Sequence, residues 1–470
     1  MEQVEHIYIN GRFTLPQGEE RLTLHNPCTG EAVTQVRLAS TADLEEAVAA
    51  AVSAFPAMAR TDLDQRAAYL LALQQAVAAR KEELVAVTVD EYGGPVSGVR
   101  ARFDFALNSF THAIQVMGEY PFERSVGAAV VQDIPLGVVG IITPWNSSHG
   151  FICNKLAMAI ASGSTAIIKP SELSARQTQL LLECFHQAGL PDGVFNVING
   201  RGAEVGAAMV RHPEIAKISF TGSSAVGKQI VRDGADTMKR VTLELGGKSA
   251  NILLPDVDLN GAIPLALQIA FNNSGQACLA GTRLLVPRQR LAEVERGVLT
   301  ALPRVAVGHP WDEQVYIGPM VNESQYQRVQ AYIHKGMAEG ARLLAGGAGR
   351  PEGMTQGYFV RPTIFTEVSN QMSIAREEIF GPVLCIIAYD SVEEAIRIAN
   401  DSPYGLHAYV SSTDEQHARD VAAQLQAGRV CINGWRHEPL APFGGFRQSG
   451  LGREFGIEGL RVYLEPRVLL

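Results

Sequence analysis

The six cysteines of this 470-residue chain, Cys28, Cys153, Cys184, Cys278, Cys385 and Cys431, have no paired spacing and no C-x-x-C among them. That pattern argues against a disulfide framework and against a zinc site, and it fits a reducing compartment. Basic residues are outnumbered, 40 against 49, for a formal charge of −9, and they form no block. Binding to a nucleic-acid backbone is therefore not expected, and no metal site is. No apolar run reaches the length of about 18 residues that a membrane span needs, and Met1 to His6 is acidic with no apolar segment behind it. A cytoplasmic protein without membrane contact is the expectation. Two phosphate-binding patterns are incomplete. Gly222-Ser223-Ser224-Ala225-Val226-Gly227-Lys228 has Gln229 where a P-loop needs Ser or Thr to hold magnesium, and Gly200-Arg201-Gly202 lacks the third glycine of a dinucleotide fingerprint.

What the chain does have is length for two or three cores and a long alternation of strand and helix patterns. Apolar runs at 138–143, 165–169, 194–198, 217–220 and 241–244 alternate with helical patterns near 151–161, 177–187, 203–210 and 225–231. This spacing predicts an α/β fold with a doubly wound parallel sheet, whose ligands bind beyond the carboxyl ends of the strands. Asn146, Lys169, Ser223 and Glu244 fall at those ends, and a helix opening at Ser223 would aim free N–H groups at a pyrophosphate. Ahead of this region, short strands are expected over 7–36, helices over 40–55, 64–90 and 99–117, and a hairpin over 121–136. Beyond it, a second α/β unit is expected, with helices over 288–301 and 323–339, strands around Arg342 and Tyr358 and at 383–389, a capping box at Ser391 to Glu394, and a last strand over 462–470.

Cys278 stands out among the six. It follows an apolar helical stretch, Ala262 to Phe271, inside the small, polar run Asn272-Asn273-Ser274-Gly275-Gln276-Ala277-Cys278-Leu279. Free cysteines are more often small buried hydrophobes. Here the small neighbours leave the sulfur among backbone N–H groups, where a thiolate or an oxyanion is stabilised. An ordinary thiol is only roughly 3% ionised at pH 7, so such a site would have to raise that fraction. Thirty-four residues upstream, Glu244 ends a strand and precedes two glycines, which places a carboxylate to face a site.

Seven motifs in order, Pro144-Trp145-Asn146, Lys169-Pro170-Ser171-Glu172, Phe220-Thr221-Gly222-Ser223, Glu244-Leu245-Gly246-Gly247-Lys248, Gly275-Gln276-Ala277-Cys278, Glu377-Glu378-Ile379-Phe380-Gly381-Pro382-Val383 and Pro442-Phe443-Gly444-Gly445, resemble the motif series of the aldehyde dehydrogenase superfamily. The likeness spans essentially the whole chain. It implies NAD-dependent oxidation of an aldehyde to the acid, with NADP the poorer cofactor. Cys278 would be the nucleophile, Asn146 the oxyanion donor, Glu244 the base for thioester hydrolysis and Lys155 a residue that tunes that base. CoA-acylating relatives generally lack the glutamate, so its presence implies hydrolysis. Trp145, Lys169, Ser171, Glu172, Gly222, Ser223, Val226, Gly227, Leu245, Glu378 and Phe380 would meet the cofactor, although Glu377-Glu378 read alone is a solvated acidic pair. Residues 1–118 with 137–245 would form the NAD-binding domain, 246–445 the catalytic domain, and 119–136 with 455–470 an arm joining a homodimer or homotetramer.

Ser147, Gly150, Phe151, Ala277, Leu279, Trp435 and Arg436 are the expected substrate contacts. Small and polar residues after Asn146 suggest a wide channel for an aromatic or functionalised aldehyde or a semialdehyde, with Arg436 offering a cation to an acidic tail. Two other classes remain open from sequence: a cysteine hydrolase that needs no nucleotide, and a non-enzymatic relative that keeps only the fold.

Overall fold

Five parallel strands, Val138–Ile142, Thr165–Lys169, Phe195–Val197, Ile215–Thr221 and Arg240–Glu244, form the centre of an eight-stranded sheet in the computed structural model, which describes residues 1–470. The chain enters at Val138–Ile142 and winds outward through Thr165–Lys169 to Phe195–Val197. It then returns to add Ile215–Thr221 and Arg240–Glu244 on the other side. The reversal falls between Val138–Ile142 and Ile215–Thr221, whose following loops diverge and leave a crevice. Pro144-Trp145-Asn146 and Gly222-Ser223 leave the sheet at that crevice. Helices cover both faces, so Val138–Ile142 and Thr165–Lys169 are buried throughout, which is why they read as unbroken apolar runs rather than alternating ones.

Helix Ser148–Ser162 begins at the crevice, and every residue in it except Phe151 is buried. Its small side chains, Ala157, Ala159 and Ala161 among them, let it pack closely with helix Val96–Glu119, which contributes Phe103, Ala106, Phe110 and Ala113 to the same core. The expected helix over 64–90 is two helices, Leu63–Ala79 and Lys81–Tyr92, broken at Arg80 with φ −118° and ψ 22°. The bend keeps Leu70, Leu73 and Val77 and also Leu84, Val85 and Val89 in one core.

A second sheet of seven strands runs Arg342–Ala345, Thr363–Thr366, Val383–Tyr389, Arg283–Pro287, Ala250–Leu253, His407–Ser411 and Arg429–Ile432, parallel except at its first pair. No strand forms at Tyr358, whose backbone instead bonds to Pro27 and Met320. The box at Ser391 is half made: its hydroxyl accepts from Glu394 N, but the Glu394 carboxylate turns to the N–H of Asp390. Cys278 lies between helix Leu259–Phe271 and strand Arg283–Pro287, and Glu378 and Phe380 immediately precede Val383–Tyr389. Both therefore sit at the amino ends of second-sheet strands, opposite the carboxyl ends of the first sheet.

The hairpin Glu123–Val126 and Ala129–Pro135 pairs with Leu464–Leu469 in a separate three-stranded sheet. Glu123–Val126 is exposed along its whole length, and Val468 and Leu469 are exposed as well.

Candidate active site

The loop that carries Cys278 is held by its neighbours as well as by its own turn. Asn273, Ser274 and Gly275 take left-handed backbone, with φ of 53°, 60° and 73°. At Gly275 a Cβ would lie 2.3 Å from the Gly381 carbonyl carbon, so only glycine fits. Asn273 Nδ2 donates to Asn146 O at 3.0 Å and to Gln276 O at 3.1 Å. Gln276 Oε1 accepts from Val321 N at 3.0 Å, and its Nε2 donates to the Tyr92 hydroxyl at 3.2 Å. Asn146 Nδ2 donates to Gln276 O at 3.0 Å, which uses one of its two amide hydrogens and leaves the other free.

A cleft of about 820 Å³ separates this loop from the first sheet. Pro144, Trp145, Asn146 and Phe151 form one side, and Thr221, Gly222, Ser223, Glu244, Leu245 and Gly246 another. Cys278, Glu378, Phe380, Gln325 and Arg328 close it. Trp145 and Phe380 meet edge to face, with centroids 5.5 Å apart, and Phe380 holds a positive φ of 63°. The glycines of the Glu244 motif make room: a Cβ on Gly246 would lie 2.4 Å from Glu378 Oε2, and one on Gly247 would lie 2.6 Å from Cys278 O. Gly247 N donates to Glu378 Oε1 at 3.1 Å. Arg328 and Gln325, which sequence patterns did not single out, donate to Glu378 O and Phe380 O and so fix the backbone of that segment.

The electrostatics of the cleft favour neutral groups. Burial pushes the Cys278 thiol up to about 12, the charges of Glu378 and Glu244 add to the rise, and the N–H groups of Cys278 and Leu279 only partly offset it. The sequence suggested a stabilised thiolate, but in this cleft burial and two carboxylates outweigh the amides. Burial also raises Glu378 to about 7 against the pull of Gly247 N–H, Lys248 and Arg328. Glu244 is raised well above the ordinary carboxyl range by burial and then by Glu454, with Lys155 and Arg453 opposing, and neither of its oxygens has a hydrogen-bond partner.

Lys155 is fully buried and forms its ion pair with Glu454 rather than with Glu244, while also donating to Ser219 Oγ at 3.0 Å. Glu454 is a site neighbour that sequence reading missed, because its segment reads as a turn and Lys155 lies 299 residues away. Lys169 is buried, donates to the Pro170 and Gly200 carbonyls at 2.8 Å each, and lies 3.6 Å from Glu172. Arg201 approaches Glu172 at 3.8 Å. Ser171 caps the short turn beginning at Glu172. Ser223 caps helix Ser224–Asp233 through Val226 N; Val226 itself is exposed, and Gly227 packs against Leu245, where a Cβ would come within 2.7 Å.

Of the expected substrate contacts, Phe151 lines the cleft, and Ser147, Ala277 and Leu279 are half-buried beside it. Gly150 is buried under Ser147 Oγ. Trp435 and Arg436 are exposed and line no part of the cleft. The wall beside the thiol is built instead from Leu406, Phe443 and Phe455, with Phe105 and Cys278 packed against them.

A doubly wound sheet whose switch-point crevice faces a cysteine, a carboxyl and an amide defines the class, a two-sheet α/β oxidoreductase. The chain belongs to the Aldehyde dehydrogenase family, whose model matches residues 13–469. It is 43% identical to a 3-succinoylsemialdehyde-pyridine dehydrogenase of a Pseudomonas species, over 100% of this chain and 99% of that protein. It is also similar to aldehyde dehydrogenase C of Pseudomonas syringae, solved as a mutant with NAD+ and octanal, at 45% identity and a TM-score of 0.97, covering 99% of this chain and 96% of that one. The NAD+ complex of a Mycobacterium tuberculosis aldehyde dehydrogenase superposes with a TM-score of 0.97 at 39% identity, covering 100% and 98%. No helix is long and apolar enough to cross a membrane.

Proposed function

We propose that the protein oxidises an aldehyde to the carboxylic acid with NAD, through a covalent intermediate on Cys278. The observation that carries this reading is the convergence of Cys278, Glu244 and Asn146 on one cleft that also opens onto Ser223 and Glu378. The residues fit a dinucleotide. Gly222 and Gly246 keep the backbone bare, the Ser223-capped helix end lies at the crevice, and Glu378 has Oε2 free to accept ribose hydroxyls. NAD supplies the hydride acceptor.

The chain's own residues do the rest. Cys278 adds to the aldehyde carbon as its proton passes to water in the open cleft, giving a thiohemiacetal whose oxyanion is held by the free Asn146 N–H and the Cys278 backbone N–H. Each such donor is worth roughly 10² to 10³ in rate. Loss of hydride leaves a thioester on Cys278. Glu244 then takes a proton from the water that attacks this thioester, which it can do only in the charged form that burial disfavours. The adjacent Lys155 favours the charged form and Glu454 resists it, so that pair sets when Glu244 acts as a base.

A carboxylate at Glu172 would accept from both hydroxyls of an adenosine ribose and repel a 2′-phosphate, which supports NAD over NADP. Residues 1–118 with 137–245 serve the nucleotide, 246–445 the chemistry, and 119–136 with 455–470 a contact between subunits of a homodimer or homotetramer. Six free cysteines support a cytoplasmic setting. The substrate is an aromatic or functionalised aldehyde or a semialdehyde, in keeping with the name of the Pseudomonas relative.

The test is NADH absorbance with an aldehyde panel, run beside ester hydrolysis without nucleotide. Cys278→Ala abolishes oxidation and leaves nucleotide binding intact on this reading. Oxidation near the wild-type rate in that variant would overturn it, and nucleotide-independent hydrolysis as the only activity would favour a hydrolase.

A further inference from the structure

A second cavity, of about 300 Å³, lies at the amino ends of the second-sheet strands under the last turn of helix Val392–Asn400, and it shares no lining residue with the cleft. Two cations line it, Lys248 and Arg283, only 3% and 2% exposed, and no carboxylate does. Arg283 donates from Nε to Lys248 O, from Nη1 to Asn370 Oδ1 and Ile398 O, and from Nη2 to Ala399 O, all at 2.9 Å. Each of these acceptors is neutral, and one Nη2 hydrogen is left over. Lys248 makes no side-chain hydrogen bond and no ion pair, so burial and distant charges alone act on its ammonium. Ser249 lines the same cavity, and its buried hydroxyl has no partner.

The groups that face these cations from the neighbouring elements leave them unneutralised. Asp401 is paired with Arg376 at 2.9 Å, Glu377 is engaged by Tyr332 and Lys335, and Glu378 accepts from Gly247 N. The buried Cys385 thiol donates to Ile374 O and is raised by burial. Tyr404 and His407, both in the cavity wall, are neutral, since burial raises the phenol and pulls the imidazole down to about 3. Burial draws Lys248 below the ordinary lysine range, and the charge of Arg283 adds to the fall while Cys385, Glu378 and Glu377 oppose it. Arg283 is itself pulled down to about 10, by burial and then by Arg376. Buried cations that no anion meets are costly, and an anion entering the cavity would find an ammonium, a hydroxyl and a spare guanidinium hydrogen to bind.

We propose that this cavity is a binding site for a small inorganic anion of halide size, held by Lys248, Ser249 and Arg283. The site is independent of the oxidation proposed above. Its volume lies at the lower end of what an organic ligand needs, and its three donors suit an ion better than an extended molecule. It backs onto the cleft through Gly247, which precedes Lys248 and donates to Glu378.

The experiment exchanges sodium gluconate for sodium chloride at constant ionic strength, so that screening does not change, and follows the melting temperature of wild type and Lys248→Met. Wild type should gain about 2 °C by about 100 mM chloride and then level off, as binding to the folded state alone requires. Lys248→Met should lose that gain and should melt no lower than wild type in gluconate, because the substitution removes an unpartnered buried cation. Should Lys248→Met fold poorly, wild-type crystals grown with bromide in place of chloride decide the matter, through an anomalous-scattering peak in the cavity beside Lys248 and Ser249. A cavity without bromide, or a chloride gain that survives in Lys248→Met, overturns the assignment. A bromide peak that persists in Lys248→Met crystals would mean an adventitious ion only and would overturn it as well.

Discussion

The cofactor-free thiol should be nearly inert, and one carboxylate should account for a measurable part of that inertness. With Cys278 pushed up to about 12, roughly three thiols in 100,000 are ionised at pH 7.5, and forming the thiolate there costs about 6 kcal/mol. Glu378 is the larger of the two charges responsible, ahead of Glu244. Removing a like charge from a dry cleft lowers a pKa by about one unit, so Glu378→Gln should raise the thiolate fraction about tenfold. A thiolate of lower pKa is also a weaker nucleophile, with a Brønsted slope of about 0.4 to 0.5, so the net gain in alkylation rate is about threefold. The assay is second-order alkylation by iodoacetamide in the absence of nucleotide, at about pH 8.5. Glu244→Gln should change the rate less, because Glu244 is the smaller of the two charges acting on the thiol. In wild type the rate should climb through pH 10 without levelling. A plateau near the pH of an ordinary thiol, or a Glu378→Gln enzyme that folds normally and alkylates no faster, would refute the account of the cleft.

Glu244→Gln should release one burst of NADH per active site and then slow by roughly 10² to 10⁴, since hydride loss does not need the base and hydrolysis does; rapid-mixing absorbance with no burst from a folded variant would place Glu244 earlier, at the thiol. NAD should exceed NADP in kcat/KM, and Glu172→Gln should narrow the gap by about tenfold, helped by Arg201 at 3.8 Å from that carboxylate; equal use of the two cofactors by wild type would remove Glu172 from the ribose. Light scattering should give a dimer or tetramer mass, and Val468→Glu, on the exposed strand Leu464–Leu469, should shift it toward the monomer; a wild-type monomer would leave the arm without its role.

What could be read in the sequence was whatever has a local signature. Val138–Ile142 and Thr165–Lys169 are continuous apolar runs because both faces of the sheet are covered, and Ser223 announces a helix start by capping chemistry within three residues. The Arg80 break was not legible, because good helix formers lie on both sides and the reason for the bend is a core shared with distant elements. Glu454 and Arg328 were hidden for the same cause: one pairs with a lysine 299 residues away, and the other acts on a backbone carbonyl 50 residues on.

The thiol is the most instructive miss. Small neighbours and free N–H groups argue for a thiolate, and both are present, yet their effect is local and partial while desolvation and the charges of Glu378 and Glu244 act across the whole cleft. Burial raises the proton affinity of all three groups, and Glu378 and Glu244 raise that of the thiol further. A positive charge or a hydrogen-bond donor brought into the cleft by a ligand relieves all of them together. Occupancy of the cleft is therefore expected to activate the nucleophile, and alkylation by iodoacetamide that is no faster with a ligand in the cleft than without one would refute this.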